Sequence, residues 1–147
     1  MIERIEIADG SRIDVENIIR LYQDGSGREL KARRLTGYVE SLPSAVAYNS
    51  ERIIGFAFCT PFAPDIVELG NIFVADSFRN QGVGAKLLKL VESRVAMRFH
   101  SIVLCNSMHY RGIPNKRPAT QFYLRQGYQQ IWSTGATICF AKQLCNK

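Results

Sequence analysis

No aspartate or glutamate follows Glu92 in this 147-residue chain. All 13 acidic residues lie in residues 1 to 92, beside 11 lysines and arginines, a balance of −2. Residues 93 to 147 carry eight lysines and arginines and no carboxylate side chain, a balance of +8, and the sum is the net charge of +6. Any catalytic carboxylate must therefore come from the first 92 residues. The final third is either an ordinary solvated surface or a basic face for an anionic ligand. Other absences narrow the class further. No apolar run approaches the roughly 20 residues of a membrane span. The first ten residues, MIERIEIADG, carry charges every few positions and no apolar signal core, so a cytoplasmic protein is expected. The four cysteines form no C-x-x-C pair and only two histidines, His100 and His109, could join them as ligands, which supports a zinc site only weakly. Cys59, Cys105 and Cys139 sit in apolar runs and read as small buried hydrophobes, with no disulfide framework.

What is present describes a globular chain: 46% of residues are hydrophobic and 22% charged. The length fits one domain over residues 1–147. Strands are predicted at 4–8, 44–49, 52–60, 65–74, 101–106, 128–132 and 136–144. Helices are predicted at 12–23, capped by Ser11, at 28–41, at 82–98 and at 119–127, closed by Gly127. Pro61 and Pro64 punctuate the exit from the third strand, and 107–118 reads as a polar loop. This order describes one α/β domain on a mixed sheet of about six or seven strands, flanked by about four helices.

The stretch FVADSFRNQGVGAKLLKL (73–90) carries the chemistry. A strand ends at Val74, a polar turn follows, and Gly82 and Gly84 stand at the mouth of a helix. The first amides of a helix lack backbone partners and favour anions, and missing side chains let a phosphate approach. Arg79 would support the anion or the loop. The spacing is not that of a P-loop, which needs GxxxxGK[ST]. The dinucleotide fingerprint is excluded by Leu87 where glycine or alanine is required. By itself the turn is compatible with an anion site or with a plain strand-to-helix turn.

The pattern R-x-x-G-x-G from Arg79 to Gly84 resembles motif A of the GNAT superfamily of acetyl-CoA-dependent N-acetyltransferases. The stretch Ala119-x-x-Phe122-Tyr123-x-x-x-Gly127-Tyr128 is similar to the family's later motif, and the element order agrees over nearly the whole chain. The resemblance implies a GNAT-like fold whose splayed strands form an acetyl-CoA cleft. It implies that the turn residues Arg79, Asn80, Gln81, Gly82, Val83, Gly84 and Ala85 hold the pyrophosphate. It further implies that Ile72, Phe73 and Val74 pair with the pantetheine arm as an extra strand would, and that Tyr123 stands near the sulfur as acid or orienting donor. No metal is implied.

Glu68, six residues before Val74, matches a catalytic glutamate of histone-type members, and its other reading is a solvent-facing strand-end residue. Strict alternation puts Glu68, Gly70 and Ile72 on one face. The chain departs from other family patterns. Asn71 and Gly70 stand where many members carry carboxylates, and Lys116 stands where an asparagine is common, with Asn115 one residue earlier. His109, Tyr110 or a water are the alternatives to Glu68 as base.

The expected function is direct acetyl transfer from acetyl-CoA to a primary amine of a small molecule. The acceptor pocket is expected from residues 12–41, 107–118 and 133–135. Alternatives are a protein or aminoacylated-RNA amine as acceptor, or a non-catalytic acyl-CoA-binding module. The basic final third, with Arg125, Lys116 and Arg117, would suit nucleic acid, but coenzyme A is itself polyanionic and accounts for it. Exposed strand edges leave a homodimer open.

Overall fold

The computed structural model describes residues 4–110, 113–114 and 119–144. The elements follow the order β1 (Ile5–Asp9), α1 (Val15–Ser26), α2 (Ala32–Ser41), β2 (Ser44–Asn49), β3 (Arg52–Ala63), β4 (Ile66–Val74), a 3-10 turn (Asp76–Phe78), α3 (Val83–Val95), β5 (Ser101–Ser107), β6 (His109–Tyr110), β7 (Ile113–Pro114), α4 (Thr120–Arg125), β8 (Gln129–Ser133) and β9 (Thr137–Gln143). Seven strands make one mixed sheet in the order β1-β2-β3-β4-β5-β9-β8, and β6 and β7 form a separate small hairpin inside the predicted polar loop.

Local chemistry moves several boundaries. Asp14 rather than Ser11 caps α1, its carboxylate accepting from the Glu16 amide at 3.0 Å. The helix runs through Gly25 and closes at Gly27, whose φ of 74° is left-handed. Gly25 is glycine for a packing reason, since a Cβ there would collide with the Phe73 ring. Strand β3 does not stop at Pro61. Its pairing with β2 ends at Phe58, so beyond that point β3 is locally an edge, where a proline is tolerated.

The sheet is covered on its two faces by different helices. Leu87, Leu88, Val91 and Val95 of α3 are fully buried and pack with Ile54, Ala57, Cys59, Val67, Leu69, Ile102 and Phe140. Each of the four α3 side chains contributes about 1.5–3 kcal/mol of burial. On the other face Val15 and Ile18 of α1 and Leu35 and Val39 of α2 pack with Val46, Phe56, Phe58 and Phe73.

Glu92 joins three elements on the α3 side. It accepts from the Tyr128 hydroxyl at 2.8 Å and from Lys142 Nζ at 3.2 Å, and Lys142 also donates to the Gln126 carbonyl at 2.8 Å. The last carboxylate of the chain is thus a structural tie, and so is the motif residue Tyr128. Among the described residues no helix is long and apolar enough to cross a membrane.

Candidate active site

The sheet opens at one place. Strands β4 and β5 run parallel but pair only over Ile66–Glu68 and Ser101–Val103. Beyond Glu68 the residues Leu69–Val74 keep β3 as neighbour, while Leu104–Ser107 pair only with β9. The two strands therefore diverge, and the β5-facing edge of β4 is left without a ladder partner. Glu68 stands at the vertex of this split.

A groove of about 480 Å³ runs from that edge to the start of α3. Ile72, Phe73, Val74, Arg79, Asn80, Gly82, Val83, Gly84 and Ala85 line it, together with Phe78 and, from α4 and its flanks, Ala119, Phe122, Arg125 and Gln126. Of the strand and turn residues expected to hold the cofactor, Ile72–Val74 and Arg79–Ala85, only Gln81 is absent from the lining; its amide nitrogen donates to the Ser77 carbonyl at 3.4 Å. The sequence assigns no role to Phe122 or Gln126, although both lie inside the motif from Ala119 to Tyr128.

The turn is shaped by left-handed residues at Asn80 (φ 61°) and Gly82 (φ 78°). The first helical bond of α3 runs from the Lys86 amide to the Gly82 carbonyl at 3.1 Å. The amides of Val83, Gly84 and Ala85 therefore have no intrahelical acceptor and carry the positive end of the helix dipole. The two glycines have different causes. Gly82 is required by its φ. A Cβ on Gly84 would lie 3.5 Å from Phe122 Cζ and 3.9 Å from Val74 Cγ2, ordinary contact distances. Packing does not demand a glycine at position 84, and the two side chains a Cβ would meet are both groove residues. The cradle fits a phosphate group brought close to the backbone.

Arg79 is committed to the loop. Its Nε donates to the Val74 carbonyl at 2.9 Å, its Nη1 lies 3.1 Å from Asp76 Oδ1, and its guanidinium stands 5.3 Å from the Phe73 ring centre. Arg125 also lines the groove; its Nε reaches the Gln121 carbonyl at 3.3 Å. Lys116, Arg117 and Asn115 lie outside the described residues.

Tyr123 does not line the groove. It is 6% exposed and packs behind Phe122 against Tyr128 and Phe140, with ring centres 5.3–5.8 Å apart. Burial pushes its phenol up to about 12, so it holds its proton at neutral pH. Its hydroxyl makes no hydrogen bond that the structure records among the described residues.

Glu68 departs from the expected alternation. Leu69 pairs with Cys59 and Asn71 with Phe58, so Gly70 is an extra residue, a β-bulge. A Cβ on Gly70 would lie 2.8 Å from both Phe58 and Thr60, which explains the glycine. The bulge reverses the faces: Val67 and Leu69, then Ile72 and Val74, pack on the α3 side. Glu68 and Ile72 consequently lie on opposite faces, not on one. The half-buried Glu68 carboxylate accepts from Thr60 Oγ1 at 3.1 Å through Oε1, and its Oε2 carries no hydrogen bond among the described residues. The side chains of His109 and Tyr110 lie outside what is described. No group of three or more His, Cys, Asp or Glu able to hold a metal occurs among the described residues.

No curated protein matches the chain. Solved structures share its fold. The ribosomal-protein-S18-alanine N-acetyltransferase of Escherichia coli matches with a TM-score of 0.78 at 15% identity, over 98% of this chain and 96% of that one. An aminoglycoside 6'-N-acetyltransferase complexed with coenzyme A gives 0.78 at 17% identity, over 97% and 98%. NAA60 of Arabidopsis thaliana in complex with acetyl-CoA gives 0.75 at 14% identity, over 95% and 99%. Residues 41–130, which run from β2 to the first residues of β8 and so include both walls of the groove, match the family model of the acetyltransferase (GNAT) domain. The chain belongs to the GNAT acetyltransferase family.

Proposed function

We propose that this protein transfers an acetyl group from acetyl-CoA directly to the primary amine of a small molecule. The observation that carries the reading is the unpartnered edge of β4 opening onto the glycine turn of α3. The amides of Val83, Gly84 and Ala85 bind the pyrophosphate, and the Ile72–Val74 edge pairs with the amide-bearing pantetheine arm. Acetyl-CoA supplies an already activated thioester, so alignment accounts for much of the rate.

The two candidate catalytic groups lie on opposite sides of the sheet. Tyr123 belongs to the core on the α3 side, one ring behind the groove residue Phe122, and holds its proton for the departing sulfur. Glu68 faces the other side, where Thr60 orients one carboxylate oxygen and the second is free to take a proton from the incoming amine. The bulge at Gly70 supports this division, because it turns Glu68 away from the cofactor side. The acceptor enters from the Glu68 face.

Release of coenzyme A thiol in the presence of purified protein tests the reading. Turnover with small primary amines, exceeding that with peptide N-termini and aminoacylated RNA, is the expected result. Acetyl-CoA binding without turnover in any acceptor class would replace the enzyme with a binding module.

A further inference from the structure

Cys105 and Cys139 contradict the expectation of buried, inert thiols. Cys105 is exposed, Cys139 half-buried, and both are free. They are register partners across the antiparallel β5–β9 ladder, with Sγ atoms 3.2 Å apart. Directly opposed residues point to the same face with Cβ atoms about 4.5–5.5 Å apart, near the range a disulfide bridges. Closing to a bond of about 2.04 Å requires the sulfurs to approach by about 1.2 Å, within reach of side-chain rotation. The pair lies on the face that carries Glu68, since Glu68 pairs with Val103 and Cys105 follows two residues later.

We propose that Cys105 and Cys139 form an oxidative modification site, a cross-strand dithiol that closes to a disulfide under disulfide oxidants such as glutathione disulfide. This does not depend on the acetyl-transfer reading. The Cys105 thiolate attacks one sulfur of glutathione disulfide and releases one glutathione. Cys139 then attacks the Cys105 sulfur, forms the Cys105–Cys139 bond and expels the second glutathione. The protein loses two electrons and two protons, and one glutathione disulfide becomes two glutathiones. Partial desolvation of this largely exposed thiol, then the hydrogen bond and charge of Cys139, then the charge of Glu68 hold Cys105 up at about 11. Few thiolates exist at neutral pH, so closure requires sustained oxidant and accelerates with alkalinity.

The test is tryptic mapping of the full chain after incubation with glutathione disulfide. Cys145 falls on a separate peptide from Cys139, because Lys142 lies between them. The expected product is the peptide of residues 99–111 linked to that of residues 126–142, lighter than the two reduced peptides by two hydrogens and released by dithiothreitol. Cys105→Ser and Cys139→Ser, checked for folding by circular dichroism, each lose the linked product, and the remaining thiol of the pair is left as a glutathione adduct. A stable glutathione adduct on wild-type Cys105 or Cys139 without the linked peptide overturns the proposal. Two unmodified thiols under conditions that oxidise exposed control thiols also overturn it.

Discussion

Gly84→Ala separates the requirements of the fold from those of the ligand. Position 84 is the second residue of α3, and glycine there has a helical cost of up to about 1 kcal/mol relative to alanine. The new Cβ meets Phe122 Cζ at 3.5 Å and Val74 Cγ2 at 3.9 Å, so it introduces no clash. Stability should therefore rise by roughly 0.5–1 kcal/mol, a Tm increase of about 1–4 °C for a chain of this size. The same methyl group stands between two walls of the groove, where a phosphate must come within hydrogen-bonding distance of the amides. Acetyl-CoA affinity should fall at least about tenfold, or 1.4 kcal/mol. Thermal melting and calorimetry on the same preparation read the two effects with opposite signs. A variant that melts higher and binds acetyl-CoA as wild type does would refute the cradle. Gly82 cannot make this separation, because its left-handed φ costs most side-chain-bearing residues about 1–2 kcal/mol with or without ligand.

Further outcomes follow from the same geometry. Tyr123→Phe should lower kcat by about 10²-fold or more while changing acetyl-CoA affinity little, as read by steady-state kinetics beside calorimetry. Glu68→Gln should lower the rate most at low pH, where the amine is protonated and needs a base; an unaltered pH–rate profile assigns the base to another group. Arg125→Ala should weaken acetyl-CoA binding more than dephospho-coenzyme A binding and flatten the salt dependence of the former, measured by titration at several ionic strengths. Burial raises Cys59 and Tyr123 to about 12, from 9.0 and 10.0, and burial with the charge of Glu92 raises Tyr128 further. The folded state then holds protons that the unfolded state releases. Stability should be full below pH 9 and fall steadily as pH climbs from 9 through 12, in melts run under reducing conditions.

Much of this protein is determined by its sequence alone. The strand and helix periods, the R-x-x-G-x-G turn and the Ala119–Tyr128 motif each depend on residues within one or two turns of chain. Such local patterns predict the α/β order, the groove's glycine wall and the left-handed closure at Gly127. What depends on two strands meeting is fixed only when the chain folds. The extra residue at Gly70 exists only relative to β3, and it moves Glu68 to the face opposite Ile72. Arg79 is a loop strut because the Val74 carbonyl lies within its reach, which spacing along the chain does not reveal. Cys105 and Cys139 are 34 residues apart and became partners through register between β5 and β9. Burial, too, is a property of the neighbour. The apolar run SIVLCN alternates against a sheet whose α3 side is covered, so Ile102 and Leu104 turn inward and Cys105 is left in the open.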